Sequence, residues 1–381
     1  MKMNSKQRVL KTLNGEIPDR VPVAEFAVDY DTVEKILGRK TYLRAKASSQ
    51  IACWENRHDE VAESYLKDHI ELHEKLELDI VTFPMATWQL PAPTDDPPPR
   101  KIDDSTWEDK YGRIYKYSPV TADITCIRDP VMDQRVFSID EFEKLPDVAA
   151  PDERSWQIMD GVVQRFKHEK FICSPDGGEI GIVMLGGMER GLMELIENPQ
   201  LIHAATAHFL ETQNLSDEKY IHPESDAVLW GADFGYKSGP FISPAMFRDY
   251  FLEPNKARVK NLHQKFGIKV LKHCCGNVMP LMDFFIEIGY DAYQSIQATA
   301  GMDICELKKS YGDKITLWGG VSLEHLISGS QDDVRQDVQR AMNCAKPGGR
   351  FILGTSHSVA VGSNYDNYMA MLDEYHRWCD Y

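Results

Sequence analysis

The sequence lacks the features of a membrane or secreted protein and has few basic residues for its size. No run approaches the ~18 consecutive apolar residues of a membrane-spanning helix, and the first residues, MKMNSKQRVLKTLNGE, contain no apolar signal-peptide core. Acidic residues outnumber basic ones by 59 to 43, which gives a formal net charge of −16. Because nucleic acids and anionic membranes bind basic surfaces, we expect a cytoplasmic protein that binds neither. A locally basic pocket for a small anionic ligand is still compatible with this charge.

Recognisable cysteine spacings are also scarce. The chain has eight cysteines, and in a long chain without a secretory signal we expect reduced thiols rather than a disulfide framework. Cys344, in the segment NCAKPGG, falls at a predicted helix end and is interpreted as a buried structural thiol. The same interpretation applies to the other cysteines that show no metal-ligand spacing: Cys53, Cys126, Cys173, Cys305 and Cys379.

Short apolar segments alternate with helical ones, which is typical of a parallel sheet with crossover helices. Eight predicted strands start at Val21, Ile80, Phe171, Ala227, Lys269, Ala292, Ile315 and Arg350. Eight βα units predict a single α/β domain over residues 1–381, a (β/α)8 TIM barrel whose active site lies at the carboxyl ends of the strands. The first strand is not followed by G-x-G-x-x-G, which counts against the alternative of a doubly wound open sheet.

A Pro- and Asp-rich stretch interrupts this pattern. Residues 92–104 include Pro97-Pro98-Pro99, and residues 107–117 alternate around Gly112 like a β-hairpin. We therefore expect a small hairpin and loop insertion at about residues 90–130, on the rim of the barrel rather than in a separate domain.

The segment KVLKHCCGN, residues 269–277, carries the strongest chemical signal. Side chains on a strand alternate between its faces, so His273 and Cys275 point the same way and Cys274 points the other way. An imidazole and a thiolate side by side make half of a zinc site. The alternative is a buried strand with two incidental thiols.

In a barrel the strand ends converge on one mouth, so further ligands can come from other strands. The residues at the predicted ends are Glu25, Pro84, Asp176, Asp233, His273 with Cys275, Gln294, Trp318 and His357. His357 is a candidate third ligand; alternatively it is a general acid, a hydrogen-bonding group or a loop residue. Three protein ligands leave one coordination position open, which is a catalytic arrangement. Glu25, Asp233 and Gln294 are candidates for a fourth ligand.

Other residues near the strand ends suit a substrate pocket. Asp233, in GADFGYK, is a candidate catalytic residue that orients a ligand or holds a polar substrate group; the alternative is an Asx turn. Aromatic residues near the strand ends indicate a pocket for a flat apolar substrate, although each one alone is as compatible with packing. They are Trp88, Trp230, Phe234, Tyr236 and Trp318, and Gln294 and Glu25 join them as candidate substrate-binding residues.

The chain resembles the uroporphyrinogen decarboxylase superfamily over nearly its full length. The resemblance is carried by RVPV at residues 20–23, by residues 231–277 and by GGRFILGTSHSV near the end. It implies a (β/α)8 barrel. The decarboxylases carry an Arg-Gln-Ala-Gly-Arg segment after the first strand that binds substrate carboxylates, whereas this chain has AEFAVDYDTV, without arginine. That absence counts against a tetrapyrrole substrate with many carboxylates.

A second branch of this superfamily, the zinc-dependent corrinoid-linked methyltransferases, has His-x-Cys followed by a cysteine near the last strand. His273 and Cys275 match this pattern, and His357 stands where those enzymes have the third ligand, a cysteine. Replacing a thiolate by a neutral imidazole makes the site more positive, which favours polarising a donor oxygen. Decarboxylases also have a histidine near this strand, so His357 alone does not decide the branch.

The favoured hypothesis is a zinc-dependent methyltransferase. The resemblance implies that it moves a methyl group from a small donor to the cob(I)alamin of a separate corrinoid protein, and an aromatic pocket would suit O-demethylation of a methoxylated aromatic. A related version uses a thiol as acceptor. The alternatives are a metal-free lyase of the decarboxylase type, with Asp233 stabilising a cationic intermediate and His357 assisting, and a non-catalytic protein whose barrel is braced by zinc or the thiols.

Overall fold

The computed structural model describes residues 3–83, 89–91, 94–144 and 147–381. Pro84, predicted at the end of the second strand, and Trp88, predicted among the aromatic residues of the mouth, lie outside these residues.

Helices and strands alternate along most of the described chain. The α-helices are α1 (Ser5–Leu13), α2 (Tyr30–Leu37), α3 (Lys46–Trp54), α4 (His58–Leu76), α5 (Pro130–Gln134), α6 (Glu153–Phe166), α7 (Met188–Glu197), α8 (Pro199–Tyr220), α9 (Pro244–Phe247), α10 (Glu253–Asn261), α11 (Met282–Ile288), α12 (Ile304–Tyr311), α13 (Leu323–Ser328), α14 (Gln331–Ala345) and α15 (Tyr365–Trp378). The strands are β1 (Ile80–Val81), β2 (Arg100–Asp103), β3 (Thr106–Glu108), β4 (Ile114–Ser118), β5 (Asp123–Arg128), β6 (Phe171–Ser174), β7 (Ala227–Trp230), β8 (Gly235–Tyr236), β9 (Gly239–Pro240), β10 (Lys269–His273), β11 (Ala292–Gln294), β12 (Thr316–Val321) and β13 (Phe351–Thr355). Short 3-10 helices span Ile139–Phe142, Met279–Leu281 and Ala298–Ala300, and π-helical turns span Arg248–Leu252 and Leu262–Phe266.

Seven strands form one curled parallel sheet in the order β1-β6-β7-β10-β11-β12-β13. Consecutive strands of this sheet are neighbours, as expected for successive βα units. Strands β6, β11 and β13 are buried along their whole length, which explains why they read as continuous apolar runs rather than as alternating ones. The predicted parallel α/β architecture is therefore confirmed.

The predicted first strand is an extended segment, residues 21–28, rather than a regular strand. The Ala24 amide donates to the Leu353 carbonyl at 2.9 Å, and on the other side the Asp79 amide donates to the Val23 carbonyl at 2.8 Å. Pro22 has no N–H to donate, which interrupts the hydrogen-bond ladder with β13. The segment thus contacts residues at both edges of the seven-stranded sheet, while closure into a complete eight-stranded barrel stays a prediction.

The insertion is larger than a hairpin. Strands β2 to β5 form a four-stranded antiparallel sheet that is mostly accessible to solvent. It packs on helix α3 through aromatic rings, with the Trp54 ring 5.9 Å from that of Trp107 and 5.4 Å from that of Tyr115. The insertion therefore adds a wall beside the sheet.

Two of the cysteines that the sequence analysis expected to be reduced are bonded to each other. Cys305 of α12 and Cys344 of α14 form a disulfide between two neighbouring helices, so the expectation of reduced thiols is wrong for this pair. They are separated by 39 positions in the sequence, and this spacing gave no sign of the pairing. In the part of the chain that the structure describes, no helix has both the length and the apolar content required to span a bilayer.

Candidate metal centre and active-site cavity

The His-x-Cys segment lies where strand β10 ends. His273 is the last residue of the strand, and the Nε2 atom of its ring lies 3.2 Å from Cys275 Sγ. Cys274 points the other way and accepts a hydrogen bond from the Phe234 amide at 3.2 Å. The chain then turns at Gly276, with φ +79°, where a Cβ would lie 2.6 Å from the Tyr236 amide nitrogen. The predicted pairing of His273 with Cys275 is thus present in the geometry.

His357 joins this pair from the loop after strand β13. The rings of His273 and His357 meet edge to face with centroids 5.7 Å apart. One ligand atom each from His273, Cys275 and His357 lie within 4.8 Å of one another. Within residues 3–83, 89–91, 94–144 and 147–381, this is the one group of three or more His, Cys, Asp or Glu side chains arranged to hold an ion.

The three side chains fit a zinc ion in kind and in spacing. Zinc–nitrogen bonds of about 2.0 Å and zinc–sulfur bonds of about 2.3 Å at tetrahedral angles place N and S about 3.5 Å apart. The observed His273–Cys275 separation of 3.2 Å is close to that value, and His357 lies somewhat farther out. Two imidazoles and one thiol form a candidate ligand set with room for a fourth ligand. We call His273, Cys275 and His357 the zinc cluster, after the ion that this set would suit.

Gln294 of strand β11 fixes the tautomer of His273. Its Oε1 accepts a hydrogen bond from His273 Nδ1, and its Nε2 donates to the Thr355 carbonyl at 3.2 Å. Since an amide oxygen only accepts, Nδ1 carries the proton and the Nε2 lone pair faces Cys275. Burial lowers the pKa of His273 to about 4, so the ring is neutral at pH 7, the state required of a metal ligand.

Asp233 holds the cysteine rather than forming its own turn. Its Oδ1 accepts from the Cys275 amide at 2.7 Å and lies 4.0 Å from His273 Nε2. Burial raises the pKa of the Cys275 thiol, and the nearby Asp233 carboxylate raises it further. Without a metal the thiol therefore keeps its proton, and a bound cation would displace it.

Burial also lowers the pKa of His357, and its Nδ1 lies 2.9 Å from Ser358 Oγ. The charges of Asp233 and Asp29 oppose this shift, whereas those of Arg44 and Lys46 add to it. Both acidic and basic side chains therefore affect the pKa of His357.

A cavity of about 660 Å³ opens at the zinc cluster, which is the size of a small-molecule site. Its wall includes Asp233, His273 and His357, as predicted, and the rings of Phe26 and Phe83. Phe26 stacks on His273 with ring centroids 4.0 Å apart. The aromatic part of the cavity wall that lies beside the zinc cluster therefore includes phenylalanines that the sequence analysis did not single out.

The aromatic residues predicted to bind substrate lie elsewhere among the described residues. Trp318 is buried within strand β12 and donates to the Ala24 carbonyl at 2.9 Å. Trp230 donates to Asp176 at 2.5 Å. Phe234 packs between Phe247 and Phe251, whereas Tyr236 is half exposed and stacks on Phe241. Their contacts are those of packing residues, and none of them is part of the cavity wall.

Glu25 and Gln294 also lie behind the wall. The Glu25 carboxylate accepts hydrogen bonds from the amide and hydroxyl of Thr355, at 3.1 and 2.5 Å. Burial raises its pKa to about 8. Like Gln294, it thus contacts the strand end that leads into His357, and neither side chain lines the cavity.

Two cations on the wall were missed by the sequence reasoning. Arg44 and Lys46 follow helix α2 and line the cavity together with Asp29. Arg44 Nη2 lies 2.7 Å and Lys46 Nζ 3.4 Å from carboxylate oxygens of Asp29. They lie far along the chain from any strand end, so no local pattern pointed to them.

The sequence profile described as uroporphyrinogen decarboxylase (URO-D) matches residues 120–378. The chain therefore belongs to the uroporphyrinogen decarboxylase family. No curated protein gives a significant match.

Solved structures share the fold. A methyltransferase from Methanosarcina mazei aligns over 98% of this chain and 99% of its own, with a TM-score of 0.63 and 15% sequence identity. A structure described as native KDPGal aligns over 58% of this chain and 76% of its own, with a TM-score of 0.27 and 13% identity. The first likeness supports the fold assignment over the whole chain, and the second is too weak to inform it.

Proposed function

We propose that this protein is a zinc-dependent methyltransferase that moves a methyl group from a small donor, such as a methoxylated aromatic compound, to the cob(I)alamin of a corrinoid protein. The observation that carries the proposal is the zinc cluster, two of whose members, His273 and His357, line a cavity of substrate size. Family membership and the fold shared with a protein named a methyltransferase support it.

His273, Cys275 and His357 would hold the ion. A bound zinc ion supplies Lewis acidity toward a donor heteroatom. Gln294 presents the His273 lone pair, and Asp233 fixes the backbone of Cys275. Phe26 and Phe83 make part of the wall apolar, which would limit the access of water to the methyl group there.

Asp233 and His357 are the proposed catalytic residues. Both line the cavity, and Asp233 is close enough to the zinc cluster to balance charge there. His357, if it is not a ligand, can donate a proton to the departing heteroatom. These two residues also keep the metal-free lyase as second candidate, since a carboxylate and a histidine beside one cavity suit a cationic intermediate.

Methyl transfer can be measured directly with the purified protein, a methoxylated aromatic donor and cob(I)alamin, by following the absorbance change to methylcob(III)alamin. We expect turnover that a chelator abolishes and zinc restores. Substitution Cys275→Ser should lower the rate at least about 100-fold, since even residues that only support ligands affect activity 10- to 100-fold. Cys274→Ser is the matched control and should stay active. Chelator-resistant decarboxylation without methyl transfer would favour the lyase.

A further inference from the structure

On one part of the cavity wall two cations, Arg44 and Lys46, are paired with a single carboxylate, that of Asp29. Arg44 Nε donates to Asp29 Oδ1 at 2.8 Å, its Nη2 lies 2.7 Å from the same oxygen, and Lys46 Nζ lies 3.4 Å from Oδ2. Two cations thus share one carboxylate, and that carboxylate is only 2% exposed. Within this group of three side chains cations outnumber carboxylates by one, although the chain as a whole has a net charge of −16.

The other two carboxylates on the wall, Asp176 and Asp233, contact other groups. Asp176 accepts from Trp230 Nε1 and lies 3.5 Å from the fully buried Arg258. Asp233 accepts from the Cys275 amide and lies beside the zinc cluster. Asp176 shares Arg258 with Asp217, and among the described residues neither Asp176 nor Asp233 forms an ion pair with Arg44 or Lys46.

Lys46 keeps a donor for a ligand. Its ammonium has three N–H donors; one reaches the Thr121 carbonyl at 3.1 Å, and one points toward Asp29. The contacts of the described residues leave the third uncommitted. The Lys46 side chain retains 23% of its exposure, so a ligand in the cavity can reach it.

The backbone conformation of Arg44 is energetically unfavourable. Arg44 has φ +61°, a left-handed conformation that is costly for a residue with a side chain and that persists where the surrounding structure fixes it. Asp29 also accepts from the Val361 amide at 3.3 Å, in the loop that carries His357. The cations are therefore tied to the same loop as the zinc cluster.

Lys46 lines the same cavity as His273 and His357. It also lines a second cavity of about 550 Å³, beside the insertion, whose wall includes none of the three cluster residues. A ligand in the first cavity can thus have one end at the zinc cluster and the other at Lys46.

We infer that the methyl donor carries a carboxylate, which Lys46 binds while the methyl-bearing oxygen lies at the zinc cluster. A methoxylated aromatic carboxylic acid meets both conditions, and its single ring fits the volume of the cavity. The carboxylate site rests on Asp29, Arg44 and Lys46, and only the orientation of the donor rests on the proposed function.

Direct binding tests the inference without methyl transfer. The probes are 4-methoxybenzoate and its neutral analogue 4-methoxybenzamide, titrated by calorimetry into the wild-type protein. We expect the acid to bind at least about 30-fold more tightly, the effect of one hydrogen bond between charged groups. Equal affinity for acid and amide would overturn the inference.

Substitutions of Lys46 test whether this side chain causes the preference for the acid. Lys46→Met should reduce the preference for the acid to about 3-fold or less, and Lys46→Arg should keep most of it. Lys40→Met, which removes an exposed lysine paired with Glu34, is the control and should bind like the wild type. A preference that survives in a folded Lys46→Met protein would also overturn the inference. Should Lys46→Met fail to fold, the wild-type comparison of the two probes still decides.

The two proposals can fail separately. Preferential binding of the acid without methyl transfer to cob(I)alamin would leave the carboxylate site standing and reject the methyltransferase. Methyl transfer from the amide as efficient as that from the acid would leave the methyltransferase standing and reject the carboxylate site.

Discussion

Strand β10 carries polar side chains on both faces, and the two faces differ in how completely those groups are partnered. On one face the fully buried Lys272 contacts Glu179 at 2.6 Å and the Ala232 carbonyl at 2.5 Å, and Tyr290 donates to Glu179 at 2.5 Å. On the other face His273 and Cys275 place ligand atoms close to each other and to His357, and His273 lines the cavity. Residues one position apart in sequence therefore have opposite roles.

The comparison shows which buried polar groups indicate function. A buried charge with its partners in place is part of the packing, because leaving it unpaired is costly. Buried groups that converge on open space with their lone pairs free are available to a ligand. Each of the following predictions tests this distinction.

The largest expected effect on stability comes from a substitution on the face of β10 where Lys272 contacts Glu179. Lys272→Met leaves Glu179 buried without its cation, which should lower the free energy of unfolding by about 3–5 kcal/mol, as measured by urea denaturation. The double substitution Lys272→Met with Glu179→Leu should recover most of the loss. Zinc content should not change in the folded fraction. A Lys272→Met protein of normal stability that lacks zinc would reverse the two roles.

The next largest expected effect is a pH dependence of the free energy of unfolding that is caused by Glu25. Its pKa is about 8 in the folded chain and about 4.5 in the unfolded chain. Below pH 4.5 both states are protonated; as the pH rises toward 8 the unfolded state ionises first, so the folded state loses stability. At about 1.4 kcal/mol per pKa unit, the loss reaches on the order of 4 kcal/mol by pH 8. Glu25→Gln should remove this slope, and an unchanged slope in the variant would exclude Glu25 as its source.

The smallest expected effect concerns the support of the zinc cluster. Gln294→Met removes the acceptor for His273 Nδ1, and zinc affinity should fall about 10- to 100-fold with the fold retained. Gln294→Glu keeps an acceptor and should lose less. Equal zinc affinities in competition with a chromogenic chelator for all three proteins would show that Gln294 only packs.

Local patterns predicted those features that are governed by local rules. The alternation of strand side chains placed His273 with Cys275 and turned Cys274 away, and the βα succession gave the order of the sheet. The irregular first strand follows from Pro22, whose missing N–H could have been read from the sequence.

Features that depend on distant contacts were not predictable in this way. Trp318 was expected at the mouth, but strand β12 continues to Val321, so the indole lies within the sheet. Arg44 lies just before helix α3 and Lys46 is the first residue of that helix, and Cys305 meets Cys344 through the packing of two helices. Neither arrangement leaves a spacing in the sequence.

The most direct test of the central claim is the zinc content of the purified protein, measured by mass spectrometry of the metal beside Cys275→Ser and Cys274→Ser. We predict about one zinc per chain in the wild type and in Cys274→Ser, and less than about 0.1 in a folded Cys275→Ser. Wild-type protein that binds no zinc when prepared without chelator, or equal zinc in the two cysteine variants, would contradict the assignment of the open face of β10 to a metal.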